Sequence, residues 1–137
     1  MARIARRAAV GLALDKEHHA LIIGCRKPQK MIVMSTESGK VLSDLPIGAG
    51  VDATRVAGAE AFASAGDGSL TVARRSSSGK YTVVALIQTA RGAKTMDIDT
   101  RTHTIYLPTA DFEDAKPGAS GRPVAKPGTF KILVVSQ

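Results

Sequence analysis

The sequence predicts an all-β protein, and three observations lead to that prediction. Ten short runs rich in Val, Ile, Leu and Thr follow one another at close, fairly regular spacing. Clusters of Gly, Pro, Ser and charged residues separate the runs, as turns separate strands. No window holds an apolar stripe of helical spacing over three turns, and Gly58 and Phe62 interrupt the one alanine-rich candidate, Ala53–Ala65. The predicted strands are Leu12–Leu14, Ala20–Gly24, Met31–Ser35, Val41–Pro46, Ala61–Ala65, Leu70–Ala73, Tyr81–Gln88, Thr95–Ile98, Thr104–Leu107 and Phe130–Val135.

The composition fits one globular domain and narrows its class. The chain has 137 residues, 44% of them hydrophobic but only 4% aromatic, so its core must be built from aliphatic side chains and alanine. The single cysteine excludes an intrachain disulfide framework and a structural zinc site made of cysteines. No stretch approaches the roughly 18 consecutive apolar residues of a membrane span. The net charge of +7 is partly concentrated in Arg3, Arg6 and Arg7. We therefore divide the chain into a basic leader, 1–10, and one domain, 11–137.

The domain repeats with a period of about 42 residues. Asp15 and Asp99 each end a strand and lie two periods apart, and Thr54-Arg-Val-Ala57 occupies the midpoint. After each of these three strands come a short turn and a second strand, aligned here as Leu21-Ile-Ile-Gly24, Phe62-Ala-Ser-Ala65 and Ile105-Tyr-Leu-Pro108. A third strand follows in every unit. Ser-Gly-Lys turns at 38–40 and 78–80 then lead into a fourth strand in the first two units. Four antiparallel strands in about 40 residues are typical of a β-propeller blade.

The predicted blades cover about 11–49, 50–90 and 91–137. The third blade ends after its third strand, so it lacks a fourth. Its connection between the second and third strands, Asp111–Gly128, contains three prolines, and we expect it to form a mobile surface loop.

The repeat resembles the YVTN family of β-propeller proteins. The residues that carry the resemblance are the Ser-Gly-Lys turns, Gly50-Val-Asp-Ala53, Arg91-Gly-Ala-Lys-Thr-Met96 and the partial tetrapeptide Tyr106-Leu-Pro-Thr109. The resemblance covers about 11–137 and implies the last three blades of a propeller that has about seven. It also implies an exported binding or surface protein without assigned catalysis. The chain is shorter than these proteins and shows no clear signal peptide, so its compartment stays unknown.

Three blades do not close a ring, because propellers use four to eight blades and would otherwise leave apolar edges exposed. Two copies would supply six blades. We therefore expect a homodimer that forms a six-bladed ring, with Met1–Val10 supplying or protecting the missing outer strand. The alternative is that the chain is a fragment of a longer propeller.

The candidate binding residues lie in loops that a propeller gathers around the mouth of its central channel. The loops between a fourth and a first strand hold Asp52, Arg91 and Lys94, and those between a second and a third strand hold Arg26, Lys27, Asp67 and Asp111. A concave, partly dry mouth with charged groups suits a small anion or a peptide segment. Arg91 is the strongest candidate because it leads into an innermost strand. The simpler interpretation is that all seven are solvated loop charges.

Other residues that suggest chemistry have simpler interpretations. His18, His19 and His103 fall in turns of different blades, so we do not expect them to share a metal ion. Gly66-Asp-Gly-Ser69 has one carboxylate, too few for calcium, and Ser76–Lys80 lacks the first glycine of a phosphate loop. Cys25 fits a small buried core residue better than a nucleophile.

The function predicted from these features is that of a non-enzymatic binding or scaffolding module without a cofactor, which takes a protein or a small anionic ligand at the channel mouth. A lactonase-like propeller hydrolase is the first alternative, and the complete lack of asparagine in the chain argues against it. Weak nucleic-acid association through the basic leader is the second.

Overall fold

The structure is a computed structural model, and it describes residues 7–136. These residues contain eleven strands and no helix, and the strands form three separate antiparallel sheets. The described residues accordingly include no helix long and apolar enough to cross a membrane. Sheet I consists of β1 (Arg7–Asp15), β2 (Ala20–Lys27), β3 (Gln29–Ser35) and β4 (Val41–Pro46), and sheet II consists of β5 (Val51–Ala57), β6 (Glu60–Ala65), β7 (Ser69–Arg75) and β8 (Tyr81–Gln88). Sheet III consists of β9 (Asp97–Asp99), β10 (Thr104–Thr109) and β11 (Lys131–Val135).

The all-β prediction is confirmed, and so is the order of strands within each repeat. Sheets I and II each have four strands that pair in sequence order, and sheet III has three. The first strand begins earlier than expected, at Arg7 instead of Leu12, and Arg7 and Ala9 lie opposite Lys27 and Cys25 of β2. Residues 7–10 of the expected leader therefore belong to sheet I. The leader arginines Arg3 and Arg6 lie outside the described residues.

The expected alignment of the second strands is wrong by one residue in sheet II. Asp15 lies opposite Ala20 and Asp99 lies opposite Thr104, so four residues form each of these turns. In sheet II, Ala57 lies opposite Glu60, so its turn has only two residues. The shorter turn moves the alignment by one position, and Phe62 therefore corresponds to Ile22 and Tyr106, not to Leu21 and Ile105.

The three sheets pack face to face, with sheet II in the middle. One apolar cluster joins sheets I and II and includes Ile22, Met31 and Val33 of sheet I and three alanines of sheet II, Ala61, Ala63 and Ala73. A second cluster joins Phe62 and Leu70 of sheet II to sheet III. Because both faces of sheet II are covered, all six residues of β6 are buried. Side chains alternate between the faces of a strand, so the middle sheet must be apolar on both.

Glycines allow β1 and β2 of sheet I to approach β5 of sheet II closely. A Cβ atom at Gly11 would lie 3.0 Å from the backbone nitrogen of Thr54, and one at Gly24 would lie 2.9 Å from Cγ2 of Val51. The hydroxyl of the fully buried Thr54 donates a hydrogen bond to the carbonyl of Ile22 across the same gap, at 3.3 Å. This close packing fixes the position of β5, which carries Asp52, against sheet I.

Candidate binding site

The connections after β2 and β6 and before β5 and β9 lie together at one end of the stack, which we call the loop face. The amide of Gly66 donates a hydrogen bond to the carbonyl of Gly50, and the amide of Gly92 donates one to the carbonyl of Gly66, both at 2.9 Å. The hydroxyl of Thr109 at the end of β10 donates to the carbonyl of Arg91 at 3.0 Å. These three hydrogen bonds join the connections before β5, after β6 and before β9 to one another and to the end of β10. They bring most of the candidate residues to the same end of the molecule.

Arg26 and Asp52 face each other across the boundary between sheets I and II. The guanidinium of Arg26 donates to the carbonyl of Val51 at 2.8 Å and to Oδ1 of Asp52 at 3.3 Å. The other carboxylate oxygen, Oδ2, accepts a hydrogen bond from the hydroxyl of Thr95 at 3.2 Å. Asp52 is therefore held by sheet I on one side and by the β8–β9 connection on the other. This pair is internally neutralised, so it contributes structure to the loop face and no excess charge.

Asp67 stabilises the loop before sheet II. Its carboxylate accepts hydrogen bonds from the amide of Ala49 at 2.7 Å and from the amide and hydroxyl of Ser69 at 3.0 and 2.6 Å. Partial desolvation acts to raise the pKa of Asp67, but these hydrogen bonds outweigh it and hold the pKa below its usual range. Gly68 has a φ of 91°, so the turn has the glycine in a left-handed conformation that the sequence predicts.

Asp111 begins the long connection between β10 and β11 and pairs with a lysine at its end. Nζ of Lys131 lies 2.5 Å from Oδ1 of Asp111, and this hydrogen bond and charge lower the pKa of the Asp111 carboxyl. The next residue, Phe112, packs on Gly92: a Cβ atom at Gly92 would lie 2.7 Å from Cζ of the ring. An isolated bridge between Phe112 and Ala125 closes the base of the connection. The loop is therefore attached to the β8–β9 connection at its base, although its outer part is exposed.

Arg91 lines a pocket of about 340 Å³ on the loop face. All its other lining residues belong to the long connection, which contributes two cations, Lys116 and Arg122, and two anions, Glu113 and Asp114. The sequence analysis did not single out Lys116 and Arg122, because nothing in the repeat indicates how an 18-residue irregular loop folds back. The signal that could have found them is the cationic content of that loop.

Lys27 and Lys94 complete the set of seven candidate residues. The side chains of Lys27, Arg91 and Lys94 are exposed, and they form no hydrogen bond or ion pair with any other residue between 7 and 136. The carbonyl of Lys94 accepts a hydrogen bond from the hydroxyl of Ser64 in sheet II, which fixes the backbone there. The structure thus separates the seven into groups with hydrogen-bond or ion-pair partners (Arg26, Asp52, Asp67, Asp111) and cations that form no ion pair within the described residues (Lys27, Arg91, Lys94).

The histidines lie at the opposite end of the stack, in the turns between first and second strands. His19 and His103 end equivalent turns and have φ values of 51° and 59°. Nδ1 of His18 lies 2.7 Å from Oδ2 of Asp15, and Nδ1 of His103 lies 3.3 Å from Oε2 of Glu60. In residues 7–136, no group of three or more His, Cys, Asp or Glu side chains is arranged to hold a metal ion.

Two buried carboxylates connect neighbouring sheets at this opposite end. Asp15 of sheet I accepts a hydrogen bond from the hydroxyl of Tyr81 in sheet II at 3.3 Å. Burial and the Asp15 carboxylate raise the pKa of Tyr81 to about 12. Glu60 of sheet II binds Arg74 at 2.7 Å and lies beside His103 of sheet III. These groups have partners within the fold, so we assign them to sheet packing.

Cys25 and the Ser76–Lys80 segment have the structural roles that their simpler interpretations predict. Cys25 is fully buried in β2. Ser76–Lys80 forms the turn between β7 and β8, with Gly79 at a φ of 85°. Because it joins two strands, it does not have the strand-to-helix geometry of a phosphate loop.

The chain is similar in fold to several solved chains, including the following two. The chain is similar to Kuenenia stuttgartiensis hydrazine synthase with a TM-score of 0.66 and 13% identity, over 79% of this chain and 31% of that one. It is also similar to the computationally designed Ika4 protein with a TM-score of 0.68 and 15% identity, over 99% of this chain and 96% of that one. The likeness is one of fold alone. The chain spans about a third of the hydrazine synthase chain, and at these identities the match says nothing of activity.

No protein-family model matches the chain, and no curated protein sequence matches it. The function must therefore be inferred from the site itself.

Proposed function

We propose that the protein is a non-enzymatic binding module of propeller type, and that it binds a small anionic ligand on the loop face at Arg91. The observation that carries the proposal is a pocket of about 340 Å³ lined by three cations, Arg91, Lys116 and Arg122. The guanidinium of Arg91 forms no ion pair within residues 7–136. A guanidinium offers several N–H donors in a planar fork that matches carboxylate and phosphate oxygens. The ligand class is therefore a small carboxylate or phosphate compound.

The charge of the loop face supports this ligand class. The loop-face segments 26–29, 46–52, 66–68, 89–96 and 110–131 contain eight Lys and Arg residues against five Asp and Glu residues. Several of the acidic groups are already engaged, because Asp52, Asp67 and Asp111 bind Arg26, backbone amides and Lys131 respectively. The uncompensated charge is therefore positive and lies around Arg91, Lys94 and Lys27.

The charges that line the pocket also determine the binding affinity that we expect. Glu113 and Asp114 line the same pocket as Arg91, Lys116 and Arg122, so the net charge of the lining is only +1. Exposed charge pairs are screened by salt, and their contribution to binding is small. We expect a dissociation constant in the micromolar to millimolar range that rises steeply with ionic strength.

The propeller assignment rests on the repeat and on the stacking of the sheets. Three antiparallel sheets of three or four strands follow one another along the chain, and each packs on the next. The loops between successive sheets lie at the end opposite the turns that hold His19 and His103, which is the arrangement around a propeller mouth. We retain the resemblance to YVTN repeats as part of this proposal, on the Ser-Gly-Lys turns and the partial tetrapeptide Tyr106-Leu-Pro-Thr109.

The direct test is calorimetric titration with citrate and with inorganic phosphate at low ionic strength. We expect binding of at least one of these anions, and a loss of affinity of about tenfold or more in Arg91→Gln, which corresponds to one charge-assisted hydrogen-bonding group. Arg101→Gln is the matched control because Arg101 is also exposed but lies in the β9–β10 turn at the opposite end. Equal affinities of Arg91→Gln and Arg101→Gln, or no binding of either anion, would contradict the proposal.

A further inference from the structure

Each terminal sheet of the stack has one face without a packing partner within the described residues. Sheet II covers one face of sheet I and one face of sheet III. The opposite faces of the terminal sheets are also apolar, and we call them the outer face of sheet I and the outer face of sheet III. The outer face of sheet I exposes half or more of Leu12, Leu14 and Val41. The rest of that face is a small buried cluster of Ile23, Cys25, Ile32 and Met34 with the partly buried Leu21. The outer face of sheet III holds Tyr106, Pro108, Ile132 and Val134.

The repeat shows that the outer face of sheet I occupies positions that are buried in the other sheets. Leu12 corresponds to Thr54 and Met96, and Leu14 corresponds to Val56 of sheet II. Thr54 and Met96 are fully buried because each packs on the preceding sheet, whereas Leu12 is 64% exposed. Sheet I has the same apolar surface, but the described structure provides no preceding sheet to cover it.

On the outer face of sheet III, the described structure provides no following sheet to cover the apolar side chains. Tyr106 stands at the position of Ile22 and Phe62, both of which are buried against the following sheet. Its neighbours across the strand pair, Ile132 opposite Pro108 and Val134 opposite Tyr106, are more than half exposed. Exposed clusters of large apolar side chains mark interaction surfaces.

We propose that a second copy of this chain covers both outer faces, so that the outer face of sheet III in one copy packs on the outer face of sheet I in the other. The pairing is directional because the sheets are repeats: sheet I packs on sheet II, and sheet II on sheet III, through the same two faces. The open face of sheet III corresponds to the faces of sheets I and II that pack on the following sheet. The open face of sheet I corresponds to the faces of sheets II and III that pack on the preceding sheet. Two copies related by a two-fold axis satisfy both contacts at once and close the array.

The surface area of the chain agrees with an unfilled interface. The accessible surface is 8310 Å². A compact monomer of 14.3 kDa exposes about 6800 Å² by the usual scaling with mass. The excess of about 1500 Å² per chain comes from the exposed long loop and the two outer faces together, and it is larger than the roughly 800 Å² per partner that a standard protein–protein interface buries.

The pairing makes a specific prediction for two variants that block one face each. Leu14→Glu places a charge on the outer face of sheet I, and Tyr106→Glu places one on the outer face of sheet III. Both positions are exposed in the single chain, so each variant should fold, and circular dichroism with urea unfolding checks this. By light scattering coupled to size exclusion, we expect a wild-type mass of twice 14.3 kDa and at least tenfold weaker self-association in either variant.

Mixing the two variants tests the direction of the pairing. Leu14→Glu keeps an intact outer face on sheet III, and Tyr106→Glu keeps one on sheet I, so the mixture has one complete contact and should form more dimer than either variant alone. If like faces paired, Tyr106→Glu would still associate through sheet I and the mixture would gain nothing. Val124→Glu is the control, because Val124 is similarly exposed but lies in the long loop.

The proposal is overturned by a wild-type monomer at all concentrations, by assemblies larger than two copies, or by equal effects of Val124→Glu and the two face variants. It does not depend on anion binding. Arg91→Gln should leave the dimer mass unchanged, so failure of the ligand proposal and failure of the pairing proposal give different results.

Discussion

Phe62 and Tyr106 occupy the same position in successive sheets, yet 2% of Phe62 and 43% of Tyr106 are exposed. The chemistry of the two side chains is similar, and the strands that carry them pair in the same order. The difference arises from the next sheet in the stack: sheet III packs on Phe62, and no described residue packs in the same way on Tyr106. The exposure of the Tyr106 ring thus reflects the lack of a packing sheet on this face among the described residues.

The first prediction compares alanine substitutions at these two positions. Phe62→Ala should lower the free energy of unfolding by about 3–5 kcal/mol, because it leaves a cavity between sheets II and III. Tyr106→Ala should cost about 1 kcal/mol or less in dilute protein, as for a surface position. Urea unfolding at two protein concentrations measures both. The cost of Tyr106→Ala should increase with concentration, because association through that ring stabilises the folded state; a concentration-independent cost would argue against burial of Tyr106 in a dimer.

The second prediction concerns the attachment of the long loop. Gly92→Ala should displace Phe112, because the added Cβ atom would lie 2.7 Å from Cζ of the ring, and it should weaken citrate binding by the Arg91 pocket. Gly118→Ala is the matched control: both glycines have similar positive φ values, 78° and 75°, but no atom lies within 4 Å of a Cβ at Gly118. Limited proteolysis within 111–128 and calorimetry give the readouts. If Gly92→Ala and Gly118→Ala were cleaved at equal rates and bound citrate with equal affinity, Phe112 would not organise the site.

The third prediction is a loss of stability at alkaline pH that depends on Tyr81. Its pKa is raised from 10.0 to about 12, mainly by burial and then by the Asp15 carboxylate. The contribution of the neutral hydroxyl is therefore fully present below pH 10 and is lost as the pH rises through about 12. The difference in unfolding free energy between wild type and Tyr81→Phe should shrink over this range.

Absorbance of the tyrosinate provides an independent check on Tyr81. The chain has two tyrosines, so in Tyr106→Phe the remaining titration belongs to Tyr81. Its midpoint should lie near pH 12, provided the protein is still folded there. A midpoint at the ordinary value in folded protein would mean that the hydroxyl is not buried against Asp15.

The fourth prediction concerns Asp67 as a structural group. Asp67→Ala removes the acceptor for the amides of Ala49 and Ser69, and we expect a loss of about 1 kcal/mol in unfolding free energy, as for the loss of a capping side chain. The pKa of Asp67 is lowered in the fold, so its contribution is present above its ordinary pKa of 3.8 and is lost as the pH falls further. Citrate affinity should be much less affected than by Arg91→Gln. If Asp67→Ala reduced the free energy of citrate binding more than the free energy of unfolding, Asp67 would belong to the binding site.

The fifth prediction concerns the Arg26–Asp52 pair. Both side chains are partly exposed and 3.3 Å apart, so a double-mutant cycle with Arg26→Gln and Asp52→Asn should give a coupling of about 0–1 kcal/mol. Citrate should bind more tightly to Asp52→Asn than to wild type, because removing this carboxylate makes the loop face more positive. An unchanged or weaker affinity would indicate that Asp52 lies too far from the bound anion to act on it.

The strand order was predictable because each strand is a short apolar run bounded by turn residues. Gly68 and Gly79 have the positive φ values that turns at those positions require. The start of β1 was missed because arginines and alanines before Leu12 have no strand signature, and residues 7–10 become a strand only by pairing with β2. The alignment of Phe62 failed for a local reason, since a two-residue turn replaced a four-residue one.

The candidate site was predictable in its location and not in its charge balance. The repeat places Arg26, Asp52 and Arg91 at one end, where the structure also has them. Sequence spacing does not show that Arg26 and Asp52 neutralise each other across two sheets, because they lie 26 positions apart in the chain. Nor does it show that Lys116 and Arg122 fold back towards Arg91, since irregular loops have no periodicity from which to infer their path.

The central claim is that the stack of three sheets is completed by a second copy. Sedimentation equilibrium of the wild-type chain over a wide concentration range tests it most directly. We predict a reversible equilibrium between 14.3 kDa and twice that mass, with no larger species. A single species of 14.3 kDa at every concentration would contradict the claim and show that the outer faces of sheets I and III stay open in solution.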